Sequence, residues 1–88
     1  MKRKMTDDLL RQIFIDITYN SMTQAEAARV HGISQPLLCK HLKYYMLRAY
    51  SFDVSNPNMS VEQKADWFGL TPEQYAVLVL HAKVKLAS

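Results

Sequence analysis

The chain is poor in the residues that break, bend or staple a backbone, with two glycines, three prolines and one cysteine among its 88 residues. The lone Cys39 excludes an intrachain disulfide framework and fits a reducing compartment. The scarcity of glycine and the lack of any low-complexity tract argue against a disordered chain. No apolar run approaches the length of a membrane span. Lys2-Arg3-Lys4 leads into Asp7 and Asp8 rather than into a signal-peptide core, so a cytoplasmic protein with no membrane partner is expected. No Ser/His/Asp grouping, glycine-rich phosphate loop or paired acid stands out, so no catalytic residue is assigned and no enzyme is expected. His31, His41, His81 and Cys39 do not make a metal set. Cys39 and His41 are two apart on a helix and point in different directions, and there is no second cysteine. No metal, no other cofactor and no small-molecule effector is expected. A chain of this length holds one compact domain with a modest core, too small for most catalytic scaffolds.

What is present is concentrated between Thr23 and Lys43. Thr23 with Glu26 is a capping box, which starts a helix near Gln24. Ala25, Ala27 and Ala28 favour that helix and leave room for close packing, and Gly32 ends it in the left-handed conformation. Ile33 is placed to plug the core, Ser34 to cap a second helix and Pro36 to sit in its first turn. Two short helices joined by a tight glycine turn form the unit whose second helix enters the major groove of DNA.

Over Gln24 to Lys43 the chain resembles the helix-turn-helix family of small phage and plasmid regulators, Cro-like repressors included. Ala28, Gly32, Ile33, Ser34, Gln35, Leu38 and Lys40 carry the resemblance. It implies an all-α fold and duplex DNA as partner. Such repressors usually have apolar residues where this chain has His31 and His41, and the match departs there.

Charge is unevenly divided. Residues 1–50 carry eight Lys/Arg against four acids, net +4, while residues 51–88 carry three against four, net −1. The excess cations lie with the glycine turn, where replacement of phosphate counterions would draw an anionic partner. Lys2, Arg3 and Lys4 form a short basic arm of the kind that reaches a groove or the backbone. Thr6 caps a first helix in which Leu9, Leu10, Ile13, Phe14 and Ile17 make an apolar face to about Tyr19. On the helix from Gln35, Leu38, Leu42, Tyr45, Met46 and Ala49 form an inner stripe to about Tyr50. That puts Gln35, Pro36, Cys39, Lys40 and Lys43 outside. Gln35 can pair with adenine and Lys40 with guanine or a phosphate, whereas Lys43, a turn farther, suits phosphate. Ser34 and Thr23 lie at helix N-termini, where they cap and can help backbone amides hold phosphates.

The chain then repeats itself. Met22, Thr23, Ala28, Gly32, Ile33 and Ser34 recur as Met59, Ser60, Ala65, Gly69, Leu70 and Thr71, displaced by 37 residues. Ser60 with Gln63 and Thr71 with Gln74 make two further capping boxes, and Leu70 is placed to staple onto Tyr75. Ser51 to Asn58 is expected to be a linker, and Trp67 and Phe68 to be core. Pro72, Ala76 and Val77 replace Gln35, Cys39 and Lys40, so the second unit is not expected to read DNA. Its last helix has one face of Tyr75, Leu78, Val79, Ala82 and Leu86 for the core. A second face of Val77, Leu80 and Val84 suits a homodimer. Alternation from Leu78 to Leu86 also allows a strand, ranked below the helix because of the cap.

The expected architecture is therefore all-α, about five helices in two tandem helix-turn-helix units. Residues 1–50 hold the DNA-binding unit, and residues 51–88 hold a linker and a supporting, dimerising unit. The expected function is sequence-specific transcriptional regulation, as a repressor. The alternatives are a protein-interaction module on the same frame and an accessory DNA-organising factor for partition or recombination.

Overall fold

A computed structural model describes residues 6–87, with side chains through Lys85, so Lys2, Arg3, Lys4 and the Leu86 side chain lie outside the described residues. The described residues form five helices and no strand: α1 (Asp7–Tyr19), α2 (Gln24–Val30), α3 (Gln35–Ser55), α4 (Val61–Phe68) and α5 (Pro72–Ala87). No described helix is long and apolar enough to cross a membrane. The chain divides into two compact units within α3, the first ending at Lys43 and the second beginning at Tyr44.

In the first unit α1 opens on Thr6, whose hydroxyl accepts from the Leu9 amide at 3.2 Å, with Asp7 and Asp8 at the positive end of the helix dipole. Leu9, Leu10, Ile13 and Phe14 are buried, and Ile17 half-buried. The Asn20 and Met22 amides both donate to the Asp16 carbonyl at 3.2 Å, and Ser21 takes φ 57° to turn the chain into α2. There the Thr23 hydroxyl accepts from the Glu26 amide at 3.1 Å, and the Glu26 carboxylate accepts from the Thr23 amide at 3.4 Å. Both halves of the capping box are formed.

Gly32 stands at φ 68°, and two hydrogen bonds close the end of α2: Ile33 N–H to the Ala28 carbonyl at 2.9 Å and Gly32 N–H to that of Arg29 at 3.2 Å. This is the Schellman arrangement, which satisfies carbonyls that a helix end leaves open. The second unit repeats it bond for bond. Leu70 donates to Ala65 at 2.9 Å and Gly69, at φ 69°, to Asp66 at 3.1 Å. Its capping boxes also form, Ser60 with Gln63 and Thr71 with Gln74. The displacement by 37 residues is thus a repeat of backbone geometry as well as of residue type.

The inner stripe of α3 is buried throughout, at Leu38 and Leu42 in the first unit and at Tyr45, Met46 and Ala49 in the second. The helix continues past Tyr50 to Ser55, so most of the expected linker is helical and only Asn56 to Ser60 connects α3 to α4. Nothing before Pro57 forbids helix, and tertiary contacts hold the extra turn. Phe52 stacks on Trp67 with ring centres 5.7 Å apart and meets Phe68 edge-on at 5.4 Å. Asn56 Nδ2 then donates to the Phe52 carbonyl at 2.8 Å and caps the helix end.

Around this turn the second unit builds its core from Tyr45, Ala49, Ala65, Leu70, Tyr75, Leu78, Val79 and Ala82. Phe68 is half-buried among Tyr45, Phe52 and Tyr75. Trp67 departs from expectation: it is 73% exposed, with its ring stacked on that of Phe52. Residues 78–86 lie within α5, and Leu78, Val79 and Ala82 are buried with helical periodicity, so the strand alternative does not occur. The Lys64 ammonium is buried, yet it donates to Asp53 Oδ1 at 3.0 Å and to the Asp53 carbonyl at 3.2 Å, and the Tyr75 hydroxyl donates to the same carboxylate at 3.2 Å. A buried ammonium without such partners would cost several kcal/mol.

The glycine conformation yields a test. Nothing lies within 4 Å of the place a Cβ would take at Gly32, so only its positive φ opposes a side chain. Gly32→Ala is expected to lower the unfolding free energy by about 1 kcal/mol, and Gly32→Asn by clearly less, because asparagine tolerates the left-handed region. Urea denaturation of the two variants checks this; equal losses would show that the dihedral angle is not the cause.

Candidate nucleic-acid interface

The first turns of α3 carry the residues assigned to DNA. Ser34, Gln35, Pro36, Lys40 and Lys43 are all exposed, while Leu38 and Leu42 on the opposite side are buried. Leu38 and Leu42 fix the rotation of the helix, and that rotation turns Pro36, Lys40 and Lys43 outward. The Ser34 hydroxyl accepts from the Leu37 amide at 3.3 Å, which settles how α3 begins.

The local electrostatics favour an anion. Every other helix has an acid in its first turn: Asp7 and Asp8 in α1, Glu26 in α2, Glu62 in α4 and Glu73 in α5. The first turn of α3 has none, so the positive end of its dipole is left uncompensated beside Lys40. Arg29, also exposed, adds a cation in the last turn of α2.

Two of the assigned residues are placed differently. Cys39 is half-buried, and its thiol donates to Gln24 Oε1 at 2.6 Å, which ties α3 to the start of α2 rather than facing outward. Thr23 is exposed, but its amide and hydroxyl are engaged by Glu26, so its observed role is the cap. Lys2, Arg3 and Lys4 fall outside the described residues.

Sequence reasoning missed what holds the turn in place. His31, at the end of α2, is half-buried, and its Nε2 lies 2.9 Å from Asp16 Oδ2. The other carboxylate oxygen accepts from Gln12 Nε2 at 3.0 Å and from Asn20 Nδ2 at 2.9 Å. Asp16 therefore joins α1 to the end of α2, the element that leads into α3. His31 is thus a polar clamp at a position where an apolar residue was expected from the resemblance. The signal available was Asp16 itself, an acid one turn beyond Ile13 and beside Ile17 on the apolar face of α1. Asp53 lies 37 residues after Asp16 and engages Lys64 of α4, so the repeat extends to this acid as well.

No protein-family model, curated protein or solved structure matches the chain.

The clamp predicts a pH dependence. Burial, the largest influence on the Asp16 carboxyl, raises its pKa. The hydrogen bonds from His31, Asn20 and Gln12, with the attraction of His31, together outweigh it and hold the pKa below the usual 3.8. A lowered folded-state value means that the carboxylate stabilises the protein above its unfolded pKa, and that this contribution disappears as pH falls through the folded value. Wild type is therefore expected to lose stability more steeply than Asp16→Asn between about pH 5 and about pH 2. Urea titrations across that range measure it, and identical slopes would remove Asp16 from the account.

Proposed function

We propose that the chain binds duplex DNA sequence-specifically as a transcriptional regulator of helix-turn-helix type, acting as a repressor by occupying its site. The observation that carries this reading is the outer face of α3. Gln35, Lys40 and Lys43 are exposed on a helix whose start is set by Ser34, whose first turn lacks an acid and whose rotation is set by Leu38 and Leu42. Gln35 would pair with adenine in the major groove, Lys40 would contact guanine or a phosphate, and Lys43 would contact phosphate. The clamp between Asp16 and His31 and the bond between Cys39 and Gln24 support the same reading. They hold α1, α2 and the start of α3 in one arrangement, and a base-reading side chain depends on such preorganisation.

A protein-interaction module is the second reading, favoured by the exposed Trp67 and by Val54, which is 61% exposed. Fluorescence anisotropy on a pool of random duplexes at two salt concentrations separates the two. Wild type is expected to bind with affinity that falls steeply as salt rises, and selection from the pool should enrich a subset. In Gln35→Ala/Lys40→Ala, discrimination for that subset should fall by about 1–3 kcal/mol while weaker nonspecific binding persists. No binding of wild type at low salt would overturn the DNA reading.

A further inference from the structure

The face of α5 turned away from its core is graded in charge along its length. Glu73, Ala76, Leu80, Lys83 and Val84 are exposed, with Val77 half-buried among them. Leu80 keeps 57% of its surface and Val84 61%, large values for apolar side chains on one helix. At 3.6 residues per turn, Glu73, Ala76, Leu80, Lys83 and Val84 fall within an arc of about 100°. The stripe is acidic at its start, apolar in its middle and basic toward its end. Neither Glu73 nor Lys83 makes an ion pair among the described residues. Alongside runs an open groove of about 350 Å³, with Val61, Ala76, Val79 and Leu80 in its lining.

This stripe is complementary to itself when reversed. Glu73 and Lys83 are equidistant from position 78, and so are Ala76 and Leu80. We infer that a second copy of this chain packs its α5 antiparallel on this face, about a two-fold axis crossing the helix between Ala76 and Leu80. Each Glu73 then meets the partner's Lys83, and each Leu80 sits over the partner's Ala76, at the mouth of the groove. A parallel pairing would set Glu73 against Glu73 and Lys83 against Lys83 and would align the two helix dipoles, so charge selects the antiparallel arrangement. The contact is isologous and closes on itself, which limits the assembly to a dimer. It does not rest on DNA binding.

Sedimentation equilibrium of the full chain over a concentration series tests this, with circular dichroism to verify that each variant is folded. Wild type is expected to show a reversible monomer–dimer equilibrium, and folded Leu80→Glu to remain monomeric at concentrations where wild type is paired. Glu73→Lys and Lys83→Glu should each raise the dimer Kd about tenfold, since each puts like charges at both ends. An equimolar mixture of those two variants should form a heterodimer with a Kd within about threefold of wild type, because every end again joins a lysine to a glutamate. A wild type that stays monomeric throughout would overturn the inference. So would a mixture that associates no better than either variant alone, since parallel pairing or a different face would not restore the match.

Discussion

A left-handed glycine closing a helix sets the geometry of both units. At Gly32 and Gly69 the backbone turns through φ 68° and 69°, and two hydrogen bonds lock each turn onto the helix it ends. The first residue of the next helix follows within a few positions, capped by Ser34 in one unit and Thr71 in the other. The direction of α3 and of α5 is therefore determined by backbone chemistry before any side chain packs. Packing then sets only their rotation, through Leu38 and Leu42 or through Tyr75, Leu78 and Val79.

On this common frame the two units solve core formation by different chemistry. An aspartate near the end of the preceding helix reaches toward the following one in both cases, Asp16 to His31 and Asp53 to Lys64. The first unit pairs that clamp with a mostly aliphatic core in which Phe14 is buried beside Ile13 and Leu38. The second packs Tyr45, Phe52, Phe68 and Tyr75 ring against ring, and the Tyr75 hydroxyl joins this cluster to its ion pair at Asp53. Burial and the Asp53 carboxylate drive the Tyr75 hydroxyl pKa far up, so Tyr75 stays a neutral donor to that carboxylate. The second unit places Pro72 and Glu73 on the outer turn that in the first carries Gln35 and Pro36. One frame thus offers a polar, acid-free helix start in the first unit and an apolar stripe ending in opposite charges in the second.

How much of this could be read from the residues depends on the range of the interaction concerned. The capping boxes at Thr23, Ser60 and Thr71 and the turns at Gly32 and Gly69 involve groups three to five positions apart, and each appears where its spacing placed it. The buried stripe from Leu38 to Ala49 was legible for the same reason, since helical period alone selects it. The end of α3 was not, because Phe52 and Asp53 are held by Trp67, Phe68 and Lys64, residues on another helix. Trp67 was misplaced in consequence: once Phe52 is helical its ring takes the inner position, and the indole stacks on its outer side, open to solvent. Of the assigned face of α3, the exposure of Pro36, Lys40 and Lys43 followed from period, whereas the inward tie of Cys39 needs Gln24 to be known as its neighbour.

The placement of Trp67 also determines what the chain's intrinsic fluorescence can report. It is the only tryptophan, it belongs to the second unit, and its ring is open to solvent on the side away from Phe52. Its emission should already be red-shifted and accessible to a collisional quencher in the native state, leaving only a small spectral change on unfolding. It reports directly on the stack with Phe52. The stack it reports lies within the second unit, and α1, α2 and the start of α3 are followed directly with a probe placed in the first unit.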